Sequence, residues 1–77
     1  MDKSFRILDV VALVENLPER KLWRGQVGTI IEDLAPGVHE VEFCDNAGRT
    51  YASLALPATR LMLLHHEPVE ERYAAVA

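Results

Sequence analysis

A mostly β fold of five short strands is what this sequence predicts, and three observations carry the prediction. Short apolar runs rich in β-branched residues recur along the chain and are too brief for good helices. Two turn signals, Pro36-Gly37 and Asp45-Asn46-Ala47-Gly48, fall between consecutive runs. Pro57, which cannot donate to a strand ladder, interrupts the chain just ahead of the last run.

The elements follow in order. Residues 9–14, Asp-Val-Val-Ala-Leu-Val, form the first expected strand, bounded by Glu15-Asn16-Leu17-Pro18. Residues 15–25 show no clean period and are expected to be a long irregular loop, with Leu22 and Trp23 set among Glu19, Arg20, Lys21 and Arg24. Residues 26–33 make the second strand. Gly25 ends the loop where backbone freedom is needed, and Gly28 lets a curved strand pass closely over its neighbour. Pro36-Gly37 has the order favoured at the centre of a type II turn, so a hairpin follows. In residues 38–43 the alternation places His39, Val41 and Phe43 on one face and Glu40 and Glu42 on the other, a strand with one wet side. After the second turn, residues 49–56 form the fourth strand, and a single helical turn is expected at 57–59. Residues 60–65 are apolar on both faces, the pattern of a short strand buried on both sides.

Five strands, a long loop after the first, two tight hairpins and a one-turn break before the last make the pattern of a small five-stranded SH3-like barrel over residues 9–66, closed or nearly closed on itself. Residues 1–8 read as a lead-in and 67–77 as a tail. In that tail Val69, Tyr73 and Val76 fall at helical spacing, compatible with a short C-terminal helix.

The chain has 77 residues, enough for one domain that buries about 60 to 65% of the surface its unfolded chain exposes. Hydrophobic residues make up 49%, ample for a core and enough to leave an apolar patch outside it, a candidate homodimer interface. Eight Lys and Arg against twelve Asp and Glu give a formal charge of −4, the wrong sign for neutralising phosphates. Cys44 is the only cysteine, so no intramolecular disulfide can form, and a reducing cytoplasm is the expected compartment. The first eight residues lack the form of a signal peptide, and no window approaches the roughly 18 apolar residues of a membrane span.

The strings Asp9-Val10-Val11-Ala12-Leu13, Leu17-Pro18, Arg24-Gly25-Gln26-Val27-Gly28-Thr29-Ile30, Pro36-Gly37-Val38 and Glu40-Val41-Glu42-Phe43 resemble short bacterial proteins of domain-of-unknown-function family 4926. The resemblance runs from about Leu8 to His65. It implies a stand-alone SH3-like domain and no catalytic residue, and it leaves room for a partner-inhibiting role of antitoxin or immunity type. At His39 the resemblance would lead one to expect an aromatic such as Tyr.

Chemical constellations are sparse. His65, His66 and Glu67 have ligand chemistry, but adjacent strand residues point to opposite faces, and His39 and Cys44 have opposite parity, so no metal site is expected. Cys44 beside Asp45 is disfavoured as a thiolate and reads as a packing residue. Glu40 and Glu42 read as a solvated acidic face. No nucleophile–base order, phosphate-cradling loop or dinucleotide fingerprint is present, so neither a catalytic role nor a cofactor is expected.

Residues 15–24 carry the strongest functional signal. Trp23 beside Arg20, Lys21 and Arg24 joins an amphipathic ring to mobile cations, the types enriched at interface hot spots. The plainer reading is that Trp23 caps one open end of the barrel. The leading expectation is a non-enzymatic protein-binding or assembly module, with Trp23, Arg20, Arg24, Tyr51 and the last-strand residue Leu64 as partner-binding residues. The alternative is a nucleic-acid-binding barrel that uses the basic loop from Arg20 to Arg24.

Overall fold

The computed structural model describes residues 5–69, so the expected tail helix, with Tyr73 and Val76, lies outside the described residues. The strands are β1 (Val10–Leu13), β2 (Val27–Ala35), β3 (Val38–Cys44), β4 (Thr50–Pro57) and β5 (Leu61–Leu63). They form one antiparallel sheet in the order β4-β3-β2-β1-β5. Two 3-10 turns, Pro18–Arg20 and Ala58–Arg60, complete the regular structure, and no α-helix occurs among the described residues.

The hairpins arise where the turn residues demand them. Gly37 has φ +74° immediately before Val38, which pairs with Ala35, so β2 turns into β3 over Pro36-Gly37 alone. At the next reversal the Asp45 carboxylate accepts the Ala47 N–H at 2.9 Å and the Arg49 N–H at 3.0 Å, and Gly48 takes φ +82°.

Alternation sets the core. His39, Val41 and Phe43 of β3 are buried with Leu54 and Leu56 of β4, Val11 and Leu13 of β1, Ile30 of β2 and Leu61 of β5. With no second layer among the described residues to cover that face, the sheet bends around it, and irregularities supply the bend. Register shifts interrupt β2 between Ile30 and Glu32 and again between Asp33 and Ala35, and the β3–β4 ladder shifts between Phe43 and Cys44.

Three expectations are corrected. The sheet does not close into a barrel: β4 and β5 are its two edges, and no pairing joins them among the described residues. β5 contributes only a three-residue ladder, all of it to β1, and Pro57 ends β4 without an N–H, so too few backbone groups remain to seal the seam. β5 is not buried on both faces, since Met62 is 53% exposed; a single-layer sheet has nothing to cover its outer side. Cys44 is not a packing residue: it is exposed, its Sγ 3.6 Å from Thr50 Oγ1, because the alternation that buries His39, Val41 and Phe43 puts the next residue on the outer face.

Candidate functional site

The β1–β2 loop, irregular in sequence, is built around one contact. Leu17 and Leu22 face each other in an isolated antiparallel bridge, Leu17 N–H donating to Leu22 C=O at 2.8 Å and Leu22 N–H returning to Leu17 C=O at 3.1 Å. The turn Pro18–Arg20 and a left-handed Lys21 (φ +56°) complete the small loop between them. Both leucines plunge into the core, at 3% and 1% exposure. The intervening Glu19, Arg20 and Lys21 are thereby held in solvent on a fixed stalk.

Trp23 follows the second anchor and is 51% exposed, so Leu17 and Leu22, not Trp23, tie the loop to the core. With Leu22 turned inward, its neighbour Trp23 faces out. The Trp23 backbone N–H donates to the side-chain carbonyl of Gln26, and the Gln26 side-chain amide donates to the Tyr51 hydroxyl at 3.1 Å. Arg24 N–H donates to Asn16 Oδ1 at 2.8 Å, which closes the loop across its base.

Tyr51 reaches this position through a bulge. Phe43 pairs with Ala52 and Cys44 with Thr50, so Tyr51 is the extra residue of β4 and its ring lies 6.3 Å from that of Phe43. It is 48% exposed. One glutamine thus ties the Trp23 backbone to the Tyr51 hydroxyl, at two half-exposed aromatic residues 28 positions apart (51 − 23).

Of the five residues singled out in the sequence, the structure links Trp23 and Tyr51, and carries Arg20 and Arg24 on the same loop. Leu64 is not part of this group. Its N–H donates to Val10 C=O at the start of β1, whereas the loop leaves from the other end, and its side chain is half-buried. Glu15, the acidic residue that opens the loop, pairs with Arg60 at 2.9 Å. Arg20, Lys21 and Arg24 form no ion pair among the described residues, so the loop presents three cations against Glu19 on an acidic chain.

A concavity elsewhere has no signal in the sequence. A shallow cleft of about 290 Å³ is lined by Phe5, Asp33, Leu34, Pro36, Gly37 and His39. His39, 5% exposed, places Nδ1 2.7 Å from Asp33 Oδ1, and the Phe5 ring centroid lies 5.6 Å from its own. The strand alternation located His39 on the inner face, but the partner Asp33 is brought opposite it only by the register shifts of β2. Among the described residues no three His, Cys, Asp or Glu side chains come together as metal ligands, and His65, His66 and Glu67 are exposed. No helix of the described residues is long and apolar enough to cross a membrane.

The fold and this surface define a small, single-sheet antiparallel β domain that displays an aromatic and cationic loop. The family model described as "Domain of unknown function (DUF4926)" matches residues 7–63, and the chain belongs to that family. No curated protein and no solved structure gives a significant match.

Proposed function

We propose that this chain is a non-enzymatic protein-binding module that grips an acidic segment of another protein with the Trp23–Gln26–Tyr51 surface, Arg20, Lys21 and Arg24 supplying the charge. The observation that carries the reading is the hydrogen-bonded link of Gln26 to both Trp23 and Tyr51. Tyr51, held through its hydroxyl, costs little conformational entropy to immobilise, and aromatic and Arg side chains dominate interface energetics. The Leu17–Leu22 anchor supports the same reading, because it keeps the loop from collapsing onto the sheet. Inhibition of a partner, as an antitoxin or immunity protein would achieve it, is one use of such a surface. We further read the architecture as an SH3-like barrel opened along one seam; the strand order, the long loop after β1 and the 3-10 turn before β5 support this.

The test is selection from a displayed random-peptide library, with the Trp23→Ala/Tyr51→Ala double variant as counter-selection. Acidic sequences that bind the natural chain and lose about tenfold or more in affinity on Trp23→Ala are expected, a loss typical of one hot-spot residue. A library that enriches nothing over the double variant would remove the proposal. Salt-sensitive retention of short single-stranded RNA or DNA, lost when Arg20, Lys21 and Arg24 are neutralised, would replace it with the nucleic-acid reading.

A further inference from the structure

We propose that the edge of β4 left unpaired among the described residues accepts an extended peptide of alternating apolar and basic residues as a sixth strand. The phase of the β3–β4 ladder shows which backbone groups are available. Ala58 N–H donates to Gly37 C=O at 2.8 Å, and this pair lies in register with His39↔Leu56, Val41↔Leu54 and Phe43↔Ala52. In an antiparallel pair, hydrogen-bonded and non-bonded positions alternate. Residues in step with Ala58 therefore turn their N–H and C=O toward β3, and those out of step turn them away. Ser53 and Ala55 each present one N–H and one C=O to the open edge, while Pro57 presents a carbonyl alone.

The usual protections of an edge strand are thin here. β3 and β4 carry no Lys or Arg, and the single Pro stands at the very end of β4. The side chains at the two presenting positions, Ser53 and Ala55, are small and exposed, so an incoming backbone meets no bulky obstacle.

The two faces of β4 specify the occupant. On the inner side Leu54 and Leu56 belong to the core, and the core ends at this edge. Apolar side chains on the incoming strand would extend it. On the outer side, Glu40 and Glu42 are held in place by Ser53 and Thr50, whose hydroxyls donate to their carboxylates at 2.8 Å each. Basic side chains on the incoming strand lie within reach of both carboxylates. A second copy of β4 lacks any basic residue and would set one acidic face beside another, so charge complementarity selects a basic peptide over self-pairing. Tyr51 lies on this same strand, but the presenting positions Ser53 and Ala55 are not part of the Trp23–Gln26–Tyr51 link, and their occupancy does not depend on the role proposed for that loop.

The experiment is a titration of the isotope-labelled chain with the acetylated, amidated hexapeptide Lys-Val-Lys-Val-Lys-Val, followed by amide NMR. The Ser53 and Ala55 amides are expected to shift downfield and to exchange about tenfold more slowly, as hydrogen-bonded strand amides do. Ala55→Pro should abolish binding while leaving the β3 ladder intact, and the same peptide N-methylated at the positions facing β4 should fail even if that variant does not fold. Trp23→Ala should bind the peptide as the natural chain does. Glu40→Gln/Glu42→Gln should weaken binding about fivefold at low salt. Unmoved Ser53 and Ala55 amides would overturn the proposal. So would equal binding of Glu-Val-Glu-Val-Glu-Val, or slow exchange at these amides that rises with protein concentration in the absence of peptide.

Discussion

Gly28 lies directly against Val41: a β-carbon built on Gly28 would stand 2.6 Å from Val41 Cγ1, 3.0 Å from the Glu42 carbonyl oxygen and 3.1 Å from Phe43 Cδ2. The sheet bends around its own core at this point, and the missing side chain is what lets β2 come down onto β3. Gly28→Ala is therefore expected to destabilise the domain by about 1–3 kcal/mol through overpacking. Urea denaturation of the two chains measures it, and a midpoint unchanged from the natural chain would show that β2 has room to lift.

Leu22 and Trp23 are neighbours with opposite duties. Truncating Leu22, almost fully buried, should cost about 2–5 kcal/mol, because a cavity is left under the loop. Trp23→Ala should change stability by only about 0.5 kcal/mol, since half the ring already meets water. Thermal unfolding of both variants checks the pair; a large loss on Trp23→Ala would return the indole to a structural role.

The Asp33–His39 pair joins an exposed carboxylate to a buried ring. Asp33→Ala removes the partner of His39 Nδ1 and should destabilise by about 1–3 kcal/mol, the cost of a buried polar atom left unpaired. His39→Phe keeps an aromatic ring beside Phe5 and needs no partner, so it should recover most of that loss in the Asp33→Ala background. A double-mutant cycle by chemical denaturation gives the coupling, and additive effects would mean the hydrogen bond contributes nothing.

At the β3–β4 turn the Arg49 backbone N–H, with help from the Ala47 N–H and the Arg49 side chain, holds the Asp45 carboxyl below the ordinary range; partial desolvation opposes this. A carboxyl whose pKa is depressed by folding stabilises the native state above its unfolded pKa and loses that contribution as pH falls through the folded value. The stability gap between the natural chain and Asp45→Asn should thus be largest near neutrality and shrink below about pH 4. Urea midpoints at pH 7 and pH 3 test it, and a gap that widens on acidification would contradict the hydrogen-bond assignment.

Local chemistry decided most of the secondary structure. Pro36-Gly37 and Asp45-Asn46-Ala47-Gly48 specify reversals through their own φ preferences, and the alternation His39, Val41, Phe43 specifies an inner face wherever the strand ends up pairing. Those signals involve residues close in the chain, so they are legible before any tertiary contact forms. The 3-10 turn after Pro57 is of the same kind.

Pairing partners and exposure at the edges are another matter. That Leu22 rather than Trp23 enters the core depends on a bridge to Leu17, which exists only once the loop has closed. Tyr51 meets Gln26 because a bulge opposite Phe43 re-aims it, and Asp33 meets His39 because β2 slips register twice; neither slip has a period that could be seen in the residues alone.

The sequence by itself determined that this protein is an antiparallel β domain, where its strands lie and where its hairpins turn, since those are set by backbone preference and by alternation along single strands. Only the tertiary structure decided that no pairing joins β4 and β5 among the described residues, and that Gln26 bonds both the Trp23 backbone and the Tyr51 hydroxyl. Both depend on which distant backbone groups find partners, a competition settled by the geometry of the bent sheet as a whole.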